Sequence, residues 1–217
     1  MKTLGLIHTS ATLVPVFKDL CDIHLTDIDT FNIVDDSLIS NVRKAGKLTP
    51  DIARRVVNYV ESAEKAGADF ILVTCSSIGK AVEQSAPLIN IPVLRVDQPM
   101  ADMAVQTGAK VGVIATLPTT LEPTSDLVQR RAKVKKQHIE LTAVCCEGAF
   151  DALMDGDSEK HDLIVGTELK KLSEKVDVIL LAQASMARVV TQLSEKDKKV
   201  PILASPELAI KHIASRL

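Results

Sequence analysis

Short runs dominated by Leu, Ile and Val punctuate the chain at residues 4–8, 70–74, 111–115 and 178–182. They lack the polar alternation of a strand with one wet face, so they predict strands buried on both faces of a parallel sheet. IPVLRV at 91–96 and VPILAS at 200–205 read as further strands, and IELTAVCCEG at 139–148 as a strand running into a turn. Amphipathic stretches lie between the runs. DIARRVVNYVESAEKAG at 51–67 puts Ile52, Val56, Val57, Val60 and Ala63 on one helical face, and Lys65 and Gly67 mark its C-terminus. The pattern predicts helices near 11–22, 51–66, 77–86, 98–107, 120–133, 149–155, 162–175, 185–194 and 206–216. Strand and helix alternate, the signature of an α/β fold.

The chain also resembles itself. DFILVTCSSIGKAV at 69–82 matches DVILLAQASMARVV at 177–190, aligning Asp69 with Asp177, Ile71 with Ile179, Ser77 with Ser185 and Cys75 with Gln183. IPVLRV matches VPILAS at nearly the same offset, and GLIHTSA at 5–11 matches GVIATLP at 112–118. Three matched segments in one order predict a duplication of a unit of roughly a hundred residues. The expected architecture is two pseudosymmetric Rossmann-like units with mostly parallel sheets and a cleft between them. Residues 1–97 with 206–217 make the first unit and 98–205 the second, the last helix crossing back.

Composition narrows the function. Aromatic residues are 2% of the 217, with no Trp, and the net charge is −2. That excludes a stacking platform for single-stranded nucleic acid and a general phosphate-backbone binder. The basic cluster Arg130, Arg131, Lys133, Lys135 and Lys136 reads as a solvated helix end. No run of about 18 apolar residues offers a membrane span, and the N-terminal segment does not read as a signal peptide. Cys21, Cys75, Cys145 and Cys146 show no framework spacing. Free thiols in a cytoplasmic protein are expected. An apolar α/β chain of this size is also expected to form a homo-oligomer.

Ligands of parallel sheets bind at the carboxyl ends of the strands. Here those ends carry His8, Thr9 and Ser10; Cys75, Ser76 and Ser77; Thr116 and Thr119; and Gln183 and Ser185. Hydroxyls together with helix N–H groups suit a carboxylate. Cys75 precedes a helix whose dipole and donors should favour the thiolate and lower its pKa; the alternative is a small buried hydrophobe. His8 either orients or protonates a substrate, or is a hydrogen-bonded structural histidine. Thr116 and Thr119 are also N-cap candidates. Cys145 and Cys146 read as structural. Cys21 with His24 is too little for zinc, and His138, His161 and His212 have no ligand spacing, so no metal is expected. The dinucleotide and P-loop glycine motifs are absent, and no Lys stands at these strand ends for pyridoxal phosphate; no cofactor is expected.

These residues resemble the aspartate/glutamate/hydantoin racemase superfamily, whose members pair two pseudosymmetric α/β units, each with a Cys in a strand-end turn. VTCSSIG looks like the first turn, with Ser76 and Ser77 where Asn and Thr are usual. VGVIATLPTT is similar to the mid-chain segment of the family, with Pro118 in place of Gly. LLAQASMA stands where the second Cys turn is expected, so Gln183 replaces that thiol, and His8 replaces an acidic strand-end residue. The resemblance implies a cofactor-independent isomerase or racemase acting on a small carboxylate, an amino acid or hydantoin-like compound. In it Cys75 is the proton-transfer thiolate, with His8 or a Gln183-held water on the other side. Two-base racemisation needs an ionisable group on each face, and a carboxamide is not one. A single-Cys decarboxylase or lyase, and a non-catalytic carboxylate-binding relative, are the alternatives.

Overall fold

A computed structural model describes residues 1–216. They form two compact units, Met1–Gln98 joined by the segment from Pro206, and Pro99–Ser205. Unit one holds β1 (Lys2–His8), α1 (Leu13–His24), β2 (Ile28–Val34), α2 (Ser37–Ala45), α3 (Pro50–Lys65), β3 (Phe70–Val73), α4 (Gly79–Ser85) and β4 (Val93–Arg95). Unit two holds α5 (Gln98–Thr107), β5 (Lys110–Ala115), α6 (Pro118–Val134), β6 (Glu140–Cys145), α7 (Ala149–Met154), α8 (Ser158–Ser173), β7 (Val178–Leu181), α9 (Ala187–Gln192) and β8 (Ile202–Ala204). The closing helix is α10 (Ser205–Ala214). The strand orders are β2-β1-β3-β4 and β6-β5-β7-β8, parallel throughout. The expected pair of parallel-sheet units is present, and the two sheets share one topology.

In unit one, Ile7, Ile71 and Val73 pack with α2, α3 and α4 on one face of the sheet. Leu4, Leu6, Phe70 and Leu72 pack on the other with Phe17 of α1 and with Ala209, Ile210 and Ile213 of α10. Both faces are covered, which is why these strands are apolar throughout. In unit two, Ile114, Ile179 and Leu181 pack with Val165, Leu169 and Leu172 of α8 and Val189 of α9.

The duplication extends to single contacts. A Cβ on Gly5 of β1 would lie 3.4 Å from Ala63 of α3, and one on Gly112 of β5 would lie 2.9 Å from Leu172 of α8. Each sheet therefore keeps a glycine facing its crossing helix, with a Cβ on Gly5 also meeting Phe31 at 3.1 Å and Ala68 at 3.2 Å. The stripe Ile52, Val56, Val60 and Ala63 of α3 has a counterpart of the same spacing in His161, Val165, Leu169 and Leu172 of α8, which also buries Gly166 and Ser173. Both helices carry a side-chain N-cap, Thr49 accepting from the Ile52 N–H and Asp157 from the Lys160 N–H.

Differences from expectation are local. β2 and α2 were not among the expected elements. α8 begins at Ser158 rather than near 162, and short 3-10 turns at Ser76–Ile78 and Ala184–Met186 stand where helix was expected to begin. The N-cap of α6 is Leu117, with Pro118 in the first turn, so neither Thr116 nor Thr119 caps it.

Candidate active site

In unit one the register pairs Ile7 with Val73, which brings His8 beside Thr74 and Thr9 beside Cys75. Cys75 is half-buried at the entry to the Ser76–Ile78 turn. Its sulfur is engaged by the Thr9 hydroxyl, the Ser77 and Ile78 N–H groups and the Ser77 hydroxyl. The expected lowered pKa is overturned: burial pushes the Cys75 thiol up, and these donors only partly offset it. Two physical reasons account for the reversal. The turn has only three residues before a seven-residue helix, so little dipole accumulates behind it. No cation faces the sulfur among the groups acting on it. Cys75 therefore rests as a thiol whose thiolate would meet ready-made donors.

His8 is fully buried. Its Nε2 lies 2.8 Å from Asn32 Oδ1 and its Nδ1 2.9 Å from Thr74 Oγ1. The amide oxygen can only accept, so Nε2 carries the proton. Nδ1 then faces the Thr74 hydroxyl, whose one proton it shares with the Ile7 carbonyl at 3.2 Å. Burial holds the pKa of His8 below its usual value despite the Asn32 bond. A substrate acid needs an uncommitted ring nitrogen, and both are engaged internally. The geometry thus favours the structural alternative over the catalytic one. Ser10, half-buried, bonds Thr12 Oγ1 at 2.7 Å, while Thr9, Ser76 and Ser77 are buried around the sulfur.

Unit two repeats the arrangement with different chemistry. Ile114 pairs with Leu181, so Thr116 meets Gln183. The Thr116 N–H and hydroxyl donate to Gln183 Oε1 at 2.5 and 2.9 Å. A backbone N–H can only donate, so the orientation of the carboxamide is fixed. Its NH2 remains as a donor pair with no acceptor among the described residues. Thr9–Cys75 and Thr116–Gln183 are thus equivalent pairs, threonine on sulfur and threonine on amide. Thr119 and Ser185 are half-buried, and the Thr119 hydroxyl has no hydrogen-bond partner among the described residues.

Two charged clusters flank the strand ends of unit one, and sequence reading missed both. Arg95, at the end of β4, is 2% exposed. Its Nε and Nη2 fork onto Asp97 at 2.7 and 2.8 Å, and its Nη1 meets Glu83 at 2.7 Å. A Cβ on Gly79 would lie 2.4 Å from the Arg95 Cζ, so the first residue of α4 rests on this guanidinium. Gly79→Ala should cost about 1–3 kcal/mol, since the fork cannot move aside. Urea denaturation measures it, and an unchanged midpoint contradicts the contact.

The second cluster is Asp35 after β2, which accepts from the Ser37 N–H and hydroxyl, the Tyr59 hydroxyl and Arg55. Burial alone would raise the Asp35 carboxyl, but the bonds from Ser37 and Tyr59 and the Arg55 charge outweigh it and hold it below the usual range. A depressed folded pKa contributes stability that is present above the unfolded value of about 3.9 and lost as pH falls toward the folded one. Asp35→Asn should therefore flatten the stability–pH curve below about pH 4. Unfolding free energies of the two proteins across that range check it; parallel curves contradict it.

Cys21 and Cys146 are packing residues. Cys146 is buried with Ile114 and Val165, burial pushing its thiol to about 12, and Cys21 is pushed to about 11. Among the described residues no group of three or more His, Cys, Asp or Glu could hold a metal ion. No helix among them is long and apolar enough to cross a membrane.

Comparison with known proteins decides the family. The Asp/Glu/Hydantoin racemase family matches residues 4–213. The chain belongs to that family. Its fold is similar to an aspartate racemase of Picrophilus torridus (TM-score 0.74, 15% identity, covering 99% of this chain and 95% of that one). A glutamate racemase of Aquifex pyrophilus (0.71, 17%, 99% and 84%) and an allantoin racemase of Klebsiella pneumoniae (0.69, 15%, 99% and 87%) are also similar. No curated protein matches by sequence. Within the family framework Cys75 occupies a strand-end turn and Gln183 the equivalent turn of the second unit.

Proposed function

We propose that this family member moves a proton at the carbon next to the carboxylate of a small acid, with Cys75 as the proton-transfer residue and no cofactor. The observation that carries this reading is the set of donors around the Cys75 sulfur. Thr9, Ser77 and the Ser77 and Ile78 N–H groups would hold a thiolate formed during reaction. With its own proton lost to water, Cys75 takes the proton from carbon and becomes a thiol again, and the electron pair of the C–H bond spreads into the carboxylate. The carbon then regains a proton from the Cys75 thiol, restoring the starting configuration, or from a water on the opposite face, inverting it. The Gln183 NH2 and the hydroxyls of Ser10, Ser76, Thr116, Thr119 and Ser185 are assigned to binding the substrate. An amino acid or hydantoin-like compound fits these groups, and His8 is assigned to holding β1 against β2 and β3.

A second reading has a specific observation behind it. Burial keeps Cys75 protonated, and Gln183 cannot ionise. A decarboxylase needs a single proton, delivered after carbon dioxide leaves, and one buried thiol suffices for that. Chiral chromatography of single enantiomers of amino acids, hydroxy acids and hydantoins, run alongside carbon dioxide release, separates the two. The proposal expects interconversion with retained mass. Carbon dioxide release without interconversion replaces it with the second reading, and binding without either contradicts both.

A further inference from the structure

Unit two carries an open groove of about 580 Å³ between α8 and α9. The proton-transfer reading makes no use of it, and nothing below rests on that reading. Glu159, Leu163, Gly166 and Lys170 line the groove from α8, and Val189 and Leu193 line it from α9. Arg188 and Gln192 of α9 donate to Asp162 of α8 at 2.8 and 3.3 Å. The two helices are therefore tied together, and the groove exists before anything enters it.

Two features of its α8 wall work against an isolated chain. Leu163 is 71% exposed. Gly166 sits inside a 16-residue helix, where glycine is less favourable than alanine. Packing does not demand a glycine there. A Cβ would meet Val189 at 3.7 Å and Leu193 at 3.9 Å, ordinary contact distances, unlike Gly112, whose Cβ would lie 2.9 Å from Leu172. Unit one builds its counterpart helix with neither feature. On the spacing shared by α3 and α8, Leu163 and Gly166 stand where α3 has the exposed Arg54 and the half-buried Val57. Unit two thus presents an apolar knob in place of a charge, and a hole in place of a side chain.

Knob and hole fit each other. Residues 159, 163, 166 and 170 fall at i, i+4, i+7 and i+11, on one helical face. Read forwards and backwards the series is complementary: glutamate meets lysine, and leucine meets glycine. A two-fold axis passing between Ile164 and Val165 would lay α8 antiparallel to α8 of a second copy. Each Leu163 would then enter the space over Gly166 of the other copy, and each Glu159 would meet Lys170 of the other copy. Lys170 also meets Asp197 at 3.0 Å, which leaves two of its three protons for another acceptor. The matching positions of α3, namely Pro50, Arg54, Val57 and Glu61, have no such symmetry. Self-complementarity of this kind is what a two-fold interface between identical chains requires.

We propose that the groove between α8 and α9 is the surface on which two copies of this chain pair, with Leu163 of each seated over Gly166 of the other. The expected homo-oligomer is then a closed dimer.

Sedimentation velocity of the full chain over a range of concentrations tests it. The wild-type protein should sediment as a dimer. Leu163→Arg, which copies unit one, should weaken the dimer about tenfold or more. Glu159→Lys and Lys170→Glu should each weaken it by about tenfold or more, because like charges then meet twice across the axis. Mixed in equal amounts, those two variants should form a heterodimer in which both charge pairs are restored. All three side chains are exposed, so circular dichroism should match wild type in each variant. A monomeric wild-type protein overturns the proposal, and so does a dimer that every variant retains, which places the contact on another face. Failure of the mixture to associate contradicts the two-fold register. If Leu163→Arg does not fold, the charge variants decide alone, and if they too unfold, the face is structural and the proposal fails.

Discussion

Cys75→Ala should abolish α-proton exchange while leaving the protein folded. The side chain is small and half-buried, and it packs only at the margin of a large apolar cluster. Its removal should cost about 1 kcal/mol, the typical effect of a single substitution. The loss of activity should be far larger, about 10²–10⁴-fold or more, because no neighbouring group can take over. His8 is committed through both nitrogens, and the nearby hydroxyls do not ionise near neutral pH. Cys75→Ser separates shape from chemistry. It keeps a polar atom among the same donors and should be as inactive as alanine. Circular dichroism and exchange rates on the same samples decide the matter. Either variant keeping more than about a tenth of wild-type activity contradicts the thiol role.

Asp97→Ala should cause the largest loss of stability. Arg95 is buried, and its Nε and Nη2 both donate to Asp97. Removing one partner of a buried pair leaves an uncompensated charge, at a cost of about 3–5 kcal/mol. That is a large share of a total stability of about 5–15 kcal/mol. Glu83 cannot take over, because it already serves the opposite side of the guanidinium and its own side chain is partly exposed. Asp97→Asn should lose less, since one acceptor survives. The effect reaches the site through Gly79, which rests on the guanidinium one residue after the Ser76–Ile78 turn that supplies donors to Cys75. Urea midpoints of the two variants should fall in the order wild type, Asn, Ala. A midpoint unchanged in the Ala variant contradicts the account of the cluster.

The two-unit architecture was legible because apolar runs repeat in the same order, and buried strands admit few other residues. Cys75 and Gln183 could be paired for the same reason, by alignment of the two strand ends. β2 was missed because it lies at a sheet edge and alternates polar with apolar residues, as in Ile28, Asp29, Phe31, Asn32 and Ile33. With β2 went Asn32, the residue that commits His8. The Arg95 cluster joins residues 12 positions apart, and sequence order does not show that Glu83 turns toward β4. An arginine among Leu94 and Val96 was the available signal. The direction of the Cys75 pKa depends on burial from all sides, which local sequence does not contain.

The central claim is that this protein labilises hydrogen on the carbon beside a carboxylate. Proton NMR of wild-type protein in deuterium oxide, with amino acids, hydroxy acids and hydantoins presented singly, tests it most directly. The account predicts a disappearing α-proton signal, with deuterium at that carbon and the rest of the molecule intact, for at least one compound. A full α-proton signal in every compound, including any that the protein binds, contradicts it.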